Sequence, residues 1–305
     1  MSEYSDSSLM LIPSGVKEGK LYSQKPIDGT SDFTVVNASV IRTRVNKDGL
    51  IENVDANVPR IDYTDGGCGV LLVEPQSENL LTYSEDFSTW DKNRVTLDSN
   101  SLISPDNTQN ATFLKETIDN NTHNIFTSAG SLGINLQLTN SIYVKSKDRD
   151  WIYVLYYDGI NNLGCNFDIV NGVLGSCDSG IVGEIKEISN GWYRCSISYT
   201  SGNLASTSRI QIGISLTDNR GNYIGNINSG VYIWGSQIEQ QSAPTSYIPT
   251  SGTTVTRLAD VVTVAPPSGV TEIIETIDDV EQTPITVIPT TYTVPNGNIN
   301  KIVMK

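Results

Sequence analysis

The stretch "RIQIGISL" (residues 209–216) decides the fold class, because apolar side chains alternate in it with polar or small ones. Ile210, Ile212 and Ile214 fall on one side of an extended chain, and Arg209 and Gln211 fall on the other. A period of two residues is typical of a β-strand with one buried and one solvated face.

The same signal recurs on both sides of this stretch. "WYRCSISYT" (residues 192–200) alternates in the same way, and "WIYVLYY" (residues 151–157) is apolar on both faces, as in a central strand. "GVYIWGSQIE" (residues 230–239) has the composition of a last strand. We therefore predict an all-β protein in which residues 79–264 form an antiparallel β-sandwich or jelly roll.

The flanking segments are shorter and more broken. Residues 1–78 are predicted to be an irregular N-terminal attachment or packing segment with an Asp-Gly turn at residues 48–49. After the linker "APPSG" (residues 265–269), residues 265–305 are predicted to be a short β segment with a hairpin turn at Asn296-Gly297. About forty residues are too few for a separate core, so we expect this tail to pack against other copies, most simply in a trimer.

The chain carries a net charge of −14. An acidic surface repels phosphate groups, which argues against nucleic acid and anionic membranes as partners. The N-terminus has no signal-peptide pattern, and no run of about 18 apolar residues occurs, so neither a leader nor a membrane span is predicted.

The cysteines are four in number, namely Cys68, Cys165, Cys177 and Cys195. With His123 as the sole histidine, they form no zinc-binding pattern. A two-residue turn at Asn171-Gly172 would place Cys165 and Cys177 on opposite faces of a hairpin. We therefore expect free, mostly buried thiols and a reducing site of synthesis.

Several segments resemble the head-spike and fibre proteins of tailed bacteriophages. They include residues 12–54, "CGVLLVEPQSENLLTYSEDFSTW" (68–90), "GWYRCSISYT" (191–200), "VYIWGSQIEQQSAPTSYIPTSGTTVTRLADVVTV" (231–264) and "TVPNGNINKIVMK" (293–305). The likeness covers nearly the whole chain and implies a virion protein with a concanavalin-like, carbohydrate-binding-module jelly roll. The chain departs from the pattern at Asn37-Ala38-Ser39, where Arg-Ala-Ser is usual.

Sugar binding requires aromatic faces for stacking and a few amide, hydroxyl or guanidinium groups. The candidate glycan-binding residues are Trp151, Tyr153, Tyr157, Asn166, Arg194, Arg209 and Gln211. They form one surface only if the polar faces of their strands coincide. The alternative is that the three aromatic side chains pack in the core and Tyr156 lies outside.

Other chemistry has weaker support. His123 lies in a polar loop and is expected to be solvated, so no nucleophile–histidine arrangement is predicted. The best carboxylates for glycan cleavage are Asp148, Asp150, Asp158 and Asp168, but no β-helix repeat is visible and no enzyme is predicted. Related jelly rolls bind structural calcium, for which Glu85, Asp86 and Glu239 are the candidate ligands. No other cofactor is expected.

These observations predict a structural virion protein, namely a head fibre or spike that decorates the capsid. Its expected partners are other copies of itself, capsid or other virion proteins, and host or mucus glycans. It would be made in the host cytoplasm and released by lysis. The alternatives are a tail-fibre receptor-binding protein and a glycan-degrading spike enzyme.

Overall fold

The computed structural model describes residues 3–24, 32–128, 134–202 and 208–305 and divides the chain into two compact units. Unit 1 comprises Met1–Gln76 and Arg257–Lys305, and unit 2 comprises Ser77–Thr256. Half of the chain is in strands and 2% is helical, which confirms the predicted all-β class. Within the described ranges, no helix has the length and apolarity needed to cross a membrane.

The strands are short at both ends of the chain and long in its middle. The helical segments are α1 (Glu3–Asp6) and a 3₁₀ turn (Pro13–Gly15). The strands before the sandwich are β1 (Leu9–Leu11), β2 (Val16–Lys17), β3 (Lys20–Leu21), β4 (Thr34–Val36), β5 (Thr43–Val45), β6 (Ile51–Asn53), β7 (Arg60–Asp62), β8 (Val70–Val73) and β9 (Ser77–Asn79). The middle strands are β10 (Asp91–Asn93), β11 (Val95–Leu102), β12 (Ala111–Glu116), β13 (Asn120–Asn121), β14 (His123–Ser128), β15 (Gln137–Ser146), β16 (Trp151–Tyr157), β17 (Asn162–Asp168), β18 (Val173–Cys177), β19 (Val182–Glu187), β20 (Trp192–Thr200), β21 (Arg209–Ser215), β22 (Tyr223–Ile224) and β23 (Gly230–Glu239). The last strands are β24 (Val255–Arg257), β25 (Val261–Val264), β26 (Ile273–Ile277), β27 (Val280–Glu281), β28 (Tyr292–Thr293) and β29 (Gly297–Met304).

Unit 2 is a jelly-roll β-sandwich of two six-stranded antiparallel sheets. The front sheet has the strand order β10-β14-β21-β16-β17-β18, and the back sheet has the order β11-β12-β23-β15-β20-β19. The predicted strand "WIYVLYY" coincides with β16, which lies inside the front sheet as expected of a central strand. The predicted last strand coincides with β23.

The core of unit 2 lies between the two sheets and follows from the period of two. Ile210, Ile212 and Ile214 of β21 point inward and are 1–2% exposed. The alternate positions of β16 also join this core, and the Tyr156 ring stacks on Tyr199 of the back sheet with 4.1 Å between ring centres. Burial of each large side chain contributes roughly 1.5–3 kcal/mol to the stability of the fold, so the core between the sheets holds them together.

A buried carboxylate ties the back sheet to the loops at one end of unit 2. Glu116 accepts hydrogen bonds from Arg149 Nε and Nη2 at 2.6 and 2.8 Å, from the Tyr223 hydroxyl at 2.6 Å and from the Asn226 amide at 2.8 Å. Burial alone would raise the pKa of Glu116, but these hydrogen bonds and the Arg149 charge outweigh it and lower the pKa. His123 packs its ring 4.6 Å from that of Tyr223 and is fully buried, so the expected solvated histidine is wrong.

Unit 1 joins the two ends of the chain in one sheet. Strand β29 pairs with β1, β8 and β26, with Leu9 opposite Met304 and Leu71 opposite Ile299. Leu9, Met304 and Ile299 are fully buried in a shared core. The segments of residues 1–78 and 265–305, expected to be separate, therefore complete one another. The premise that the tail lacks a core within its own chain is wrong.

A cluster of buried charges lies inside unit 1. Asp260 pairs with Arg42 at 3.0 Å and with Arg60, and Arg60 also pairs with Glu74 at 2.7 Å. The Asn37 side chain donates to Asp260 Oδ1 at 2.9 Å. The Asn37 amide thus donates to a carboxylate that two arginines already neutralise.

Of two turns predicted from the sequence, one is found in the structure and the other is not. The Asp48-Gly49 turn does connect β5 and β6, in which Val45 lies opposite Ile51. Gly297 instead begins β29, and β28 pairs with β25, so no hairpin forms at Asn296-Gly297.

The cysteine prediction also needs correction, because Cys165 and Cys177 form a disulfide. Residues 169–172 form a four-residue loop, which places Asp168 opposite Val173. A register shift farther along β17 and β18 then brings the two cysteines opposite each other. Cys68 is a free exposed thiol and Cys195 a free buried one.

Candidate functional site

A groove with a volume of about 620 Å³ lies on the outer face of the front sheet. That face carries the side chains of β16 and β21 that alternate with the core positions. Amide, hydroxyl, aromatic and charged groups share its lining, which consists of Asn93, Thr122, Asn124, Phe126, Tyr153, Leu155, Asn162, Asp178, Arg209, Gln211 and Arg220.

A missing side chain in β21 makes room for the floor of the groove. Gly213 lies between Tyr153 of β16 and Asn124 of β14 in the strand register. A Cβ atom built on Gly213 would lie 2.1 Å from Tyr153 Cζ. The Tyr153 ring therefore occupies the space beside the glycine, and Tyr153 is only 1% exposed.

The Tyr153 hydroxyl orients two amide side chains. It accepts hydrogen bonds from Asn124 Nδ2 at 3.2 Å and from Gln211 Nε2 at 3.3 Å. Burial raises the pKa of Tyr153, so the phenol stays protonated. Both amide groups are held by their nitrogens, and each therefore has an oxygen left to accept a further hydrogen bond.

Arg209 lies between two aromatic rings on the same face. Its guanidinium carbon is 4.8 Å from the centre of the Phe126 ring and 4.4 Å from that of Tyr157. Such cation–π contacts fix the direction of the side chain. The buried Nε atom of Arg209 has no hydrogen-bond partner.

The second arginine of the groove is neutralised. Arg220 Nη1 donates to Asp178 Oδ2 at 2.8 Å, and the Gly164 amide donates to the same oxygen at 2.9 Å. The hydrogen bond from Arg220 is the main cause that lowers the pKa of Asp178. Asp178 is thus a carboxylate at neutral pH, with its charge committed to Arg220.

The structure brings six of the seven predicted glycan-binding residues to one face. Tyr153, Arg209 and Gln211 line the groove. Asn166 lies opposite Tyr153 in the register, and its side chain donates to Asp218 at 2.8 Å. Trp151 and Tyr157 are half-buried at the two ends of β16.

Arg194 does not belong to this surface. It lies on β20 of the back sheet, where it donates to the Thr245 carbonyl at 2.7 Å and to the Ser141 hydroxyl at 2.9 Å. The alternative placement of the aromatic side chains is also wrong for Tyr156, which is in the core. Trp192 and Trp234 are buried as well, at 2% and 1% exposed.

Three of the four candidate acids, Asp148, Asp158 and Asp168, accept hydrogen bonds from backbone amides. Asp168 accepts from the Val170 and Asn171 amides at 3.1 and 3.0 Å and closes its own loop. Burial alone would raise the pKa of Asp168, but the hydrogen bonds from Asn171 and Val170 lower it. Asp158 caps a neighbouring turn in the same way, through the amides of residues 160 and 161.

The candidate calcium ligands accept hydrogen bonds within the chain, and Asp86 does so from the Ser88 amide at 2.8 Å. Glu239 accepts hydrogen bonds from Ser77, Gln237 and Thr245 at 2.6–2.8 Å, while Glu85 accepts from Tyr247 at 2.9 Å. In the described part of the chain, no three acidic, histidine or cysteine side chains are grouped to hold a metal ion.

Sequence reasoning did not find the outer strands of the groove. Asn124 and Phe126 alternate with the buried Ile125, so the period of two in "HNIF" (residues 123–126) was the available signal. Asp178 and Arg220 lie in loops that only the three-dimensional fold brings together at 2.8 Å.

No protein-family model and no curated protein match the sequence. Solved structures similar to this chain include the enzymatically active domain of tailspike protein 4 of bacteriophage CBA120, with 11% identity over 52% of this chain and a TM-score of 0.33. The CBM22-1–GH10 modules of Clostridium thermocellum xylanase 10B match with 13% identity over 58% of this chain and a TM-score of 0.33. The mannan-recognising module TmCBM27 matches with 12% identity over 56% of this chain and 98% of its own length, with a TM-score of 0.31. The chain spans 21% of the tailspike chain and 30% of the xylanase chain, less than two thirds of either.

Proposed function

We propose that unit 2 is a glycan-binding module and that the groove of the front sheet is its binding site. The observation that carries this proposal is the pair of amides, Asn124 and Gln211, which the buried Tyr153 hydroxyl holds in place. Fixed amide oxygens at the floor of an open groove suit the hydroxyl groups of a sugar. Phe126 and Tyr157 add half-buried aromatic surface at the side.

The dimensions of the groove favour a chain of sugars over a single ring. Its lining extends from Asn93 on β10 to Asp178 just beyond β18, across the full width of the front sheet. Six strands at a spacing of about 4.8 Å give a length of roughly 24 Å. We therefore expect an extended oligosaccharide, and several displayed copies would multiply a weak single-site affinity.

Binding without cleavage is part of the proposal. Most glycoside hydrolases use two carboxyl groups, one of them protonated at the working pH. Asp178 is the carboxylate that lines the groove, and Arg220 lowers its pKa. A charge committed to an ion pair is a poor proton donor, which supports a binding role.

The test is glycan-array binding by multivalent protein. Gln211→Ala is expected to weaken binding about tenfold, because a sugar hydroxyl loses its fixed partner. Gln137→Ala makes the same change at an exposed position of the back sheet and is expected to bind as the wild type does. Equal binding by both variants would contradict the proposed site.

We further propose that the chain is a virion protein of a tailed bacteriophage, located on the head. The sequence resemblance to head spikes and fibres supports this location, and a tail fibre is the alternative. The Cys165–Cys177 disulfide supports work in an oxidising medium after release from the host. Immuno-electron microscopy of virions decides between head, tail and neither.

Assembly with further copies remains a proposal, and an apolar pair in unit 1 supports it. Val36 and Val261 lie opposite each other on neighbouring strands and are 50% and 41% exposed. A contact between copies at this pair would remove exposed aliphatic surface from water. Mass photometry is expected to show a trimer that Val36→Glu weakens and that Val287→Glu, a matched change at an exposed valine, leaves intact. A wild-type monomer would contradict this proposal.

A further inference from the structure

The charges of the groove differ in sign from those of the chain as a whole. The chain has a net charge of −14, yet the groove lining contains two arginines and one aspartate. Asp178 offsets Arg220 through the ion pair at 2.8 Å. One positive charge, that of Arg209, is left over in the groove.

The guanidinium of Arg209 has a fixed position but no anionic partner among the described residues. Its guanidinium is fixed between the Phe126 and Tyr157 rings, yet it forms no ion pair and no hydrogen bond with the described residues. The guanidinium lies outside the core between the sheets, which its strand neighbours Ile210 and Ile212 fill.

We infer that the groove selects an anionic sugar, whose carboxylate or sulfate group pairs with Arg209; this rests on the proposed glycan binding. The planar guanidinium offers parallel N–H donors that match the oxygens of either anion. The amide oxygens of Asn124 and Gln211 accept hydrogen bonds from hydroxyl groups of the same chain. Neutral oligosaccharides would use the amides alone and bind more weakly.

The test compares sugars that differ only in their charge. The probes are sialyllactose and its methyl ester, oligogalacturonate and its methyl ester, and a sulfated galactan and its desulfated form, each immobilised and offered to multivalent protein. We expect at least one acidic probe to bind about tenfold more tightly than its neutral partner, since a charge-assisted hydrogen bond is stronger than a neutral one. The carboxylate and sulfate pairs show which anion is preferred.

The dependence on salt and three substitutions test whether Arg209 causes the preference for acidic probes. The preference should shrink between about 0.05 and 0.5 M salt, because ions screen a partly exposed pair. Arg209→Gln should remove the preference and Arg209→Lys should retain part of it. Lys115→Gln, which removes the same charge from the back sheet, should change nothing.

Two results would overturn the inference, and they differ in what they say about the groove. If neutral and acidic probes bind equally and Gln211→Ala weakens both, glycan binding stands and selectivity for anions fails. If no probe of either kind binds, the binding site and its charge preference fail together.

Discussion

The substitution Gly213→Ala tests the construction of the groove floor. The new Cβ would lie 2.1, 2.3 and 2.6 Å from Tyr153 Cζ, Oη and Cε2, so the ring cannot stay in place. Displacing the ring breaks the two hydrogen bonds from Asn124 and Gln211, at about 0.5–1.5 kcal/mol each, and adds a similar cost of overpacking. We expect a loss of about 2–6 kcal/mol in the unfolding free energy of unit 2.

Thermal unfolding measures this loss, and a second glycine provides the control. For a unit of this size, the expected drop in melting temperature is on the order of 10 °C. Gly221→Ala introduces the same methyl group where the nearest heavy atom is 3.4 Å away, in ordinary contact. It should change the stability by less than about 0.5 kcal/mol.

A double-mutant cycle separates the steric cause from any general cost of alanine. In a Tyr153→Ala background the ring is gone, so Gly213→Ala should become neutral or slightly stabilising, as expected for glycine replaced in a strand. If Gly213→Ala costs the same with and without the ring, the assignment of Gly213 as the seat of Tyr153 is refuted. The single variant should also lose glycan binding, because both amides lose their anchor.

Three further predictions concern the rest of the chain. Arg149→Ala leaves Glu116 buried and partly unpaired, which should cost about 3–5 kcal/mol at neutral pH. In the wild type, the lowered pKa of Glu116 stabilises the fold at pH values above 4.5, the ordinary pKa of a glutamate, whereas in the variant burial raises this pKa. Urea unfolding should therefore show that the difference in unfolding free energy between wild type and variant narrows as the pH falls from 7 towards 4.5. A difference that does not change with pH would contradict the pairing. Cys165→Ser should destabilise unit 2 by about 3 kcal/mol, an effect that reductant reproduces in the wild type; insensitivity to both would argue against the disulfide. Deletion of residues 297–305 removes β29 and should expose residues 1–76 to protease while unit 2 stays intact, whereas protection of residues 1–76 would disprove the shared sheet.

The local pattern of the sequence predicts where strands begin and end, but it does not predict which strands pair in a sheet. The period of two located β20 with its observed bounds and β21 to within one residue, because side-chain alternation is a property of each strand alone. Arg194 shows the limit of this reasoning. Its strand alternates as clearly as β21 does, but pairing with β15 places it in the back sheet, and no local feature of either strand encodes that choice.

The sequence analysis missed the Cys165–Cys177 disulfide for a related reason. The turn residues Asn171-Gly172 suggested a two-residue connection, whereas the Asp168 carboxylate closes a four-residue loop with its own hydrogen bonds. The change of loop length and the later register shift together bring Cys165 opposite Cys177. A shift of one residue is enough to reverse the face of every side chain in a strand.

The pairing of the two chain ends removes the need for a neighbouring copy to hold them, and the magnitudes show why. Placing Leu9 opposite Met304 closes a loop of roughly 300 residues, at an entropic cost of about 5 kcal/mol. Leu9, Leu11, Ile302 and Met304 are fully buried. Each of these side chains stabilises the fold by about 1.5–3 kcal/mol. The cost grows only with the logarithm of loop length, so inserting the whole of unit 2 between the halves of unit 1 adds little to it. Any trimer must therefore draw its stability from surface contacts such as Val36 and Val261, and not from a core that the single chain lacks.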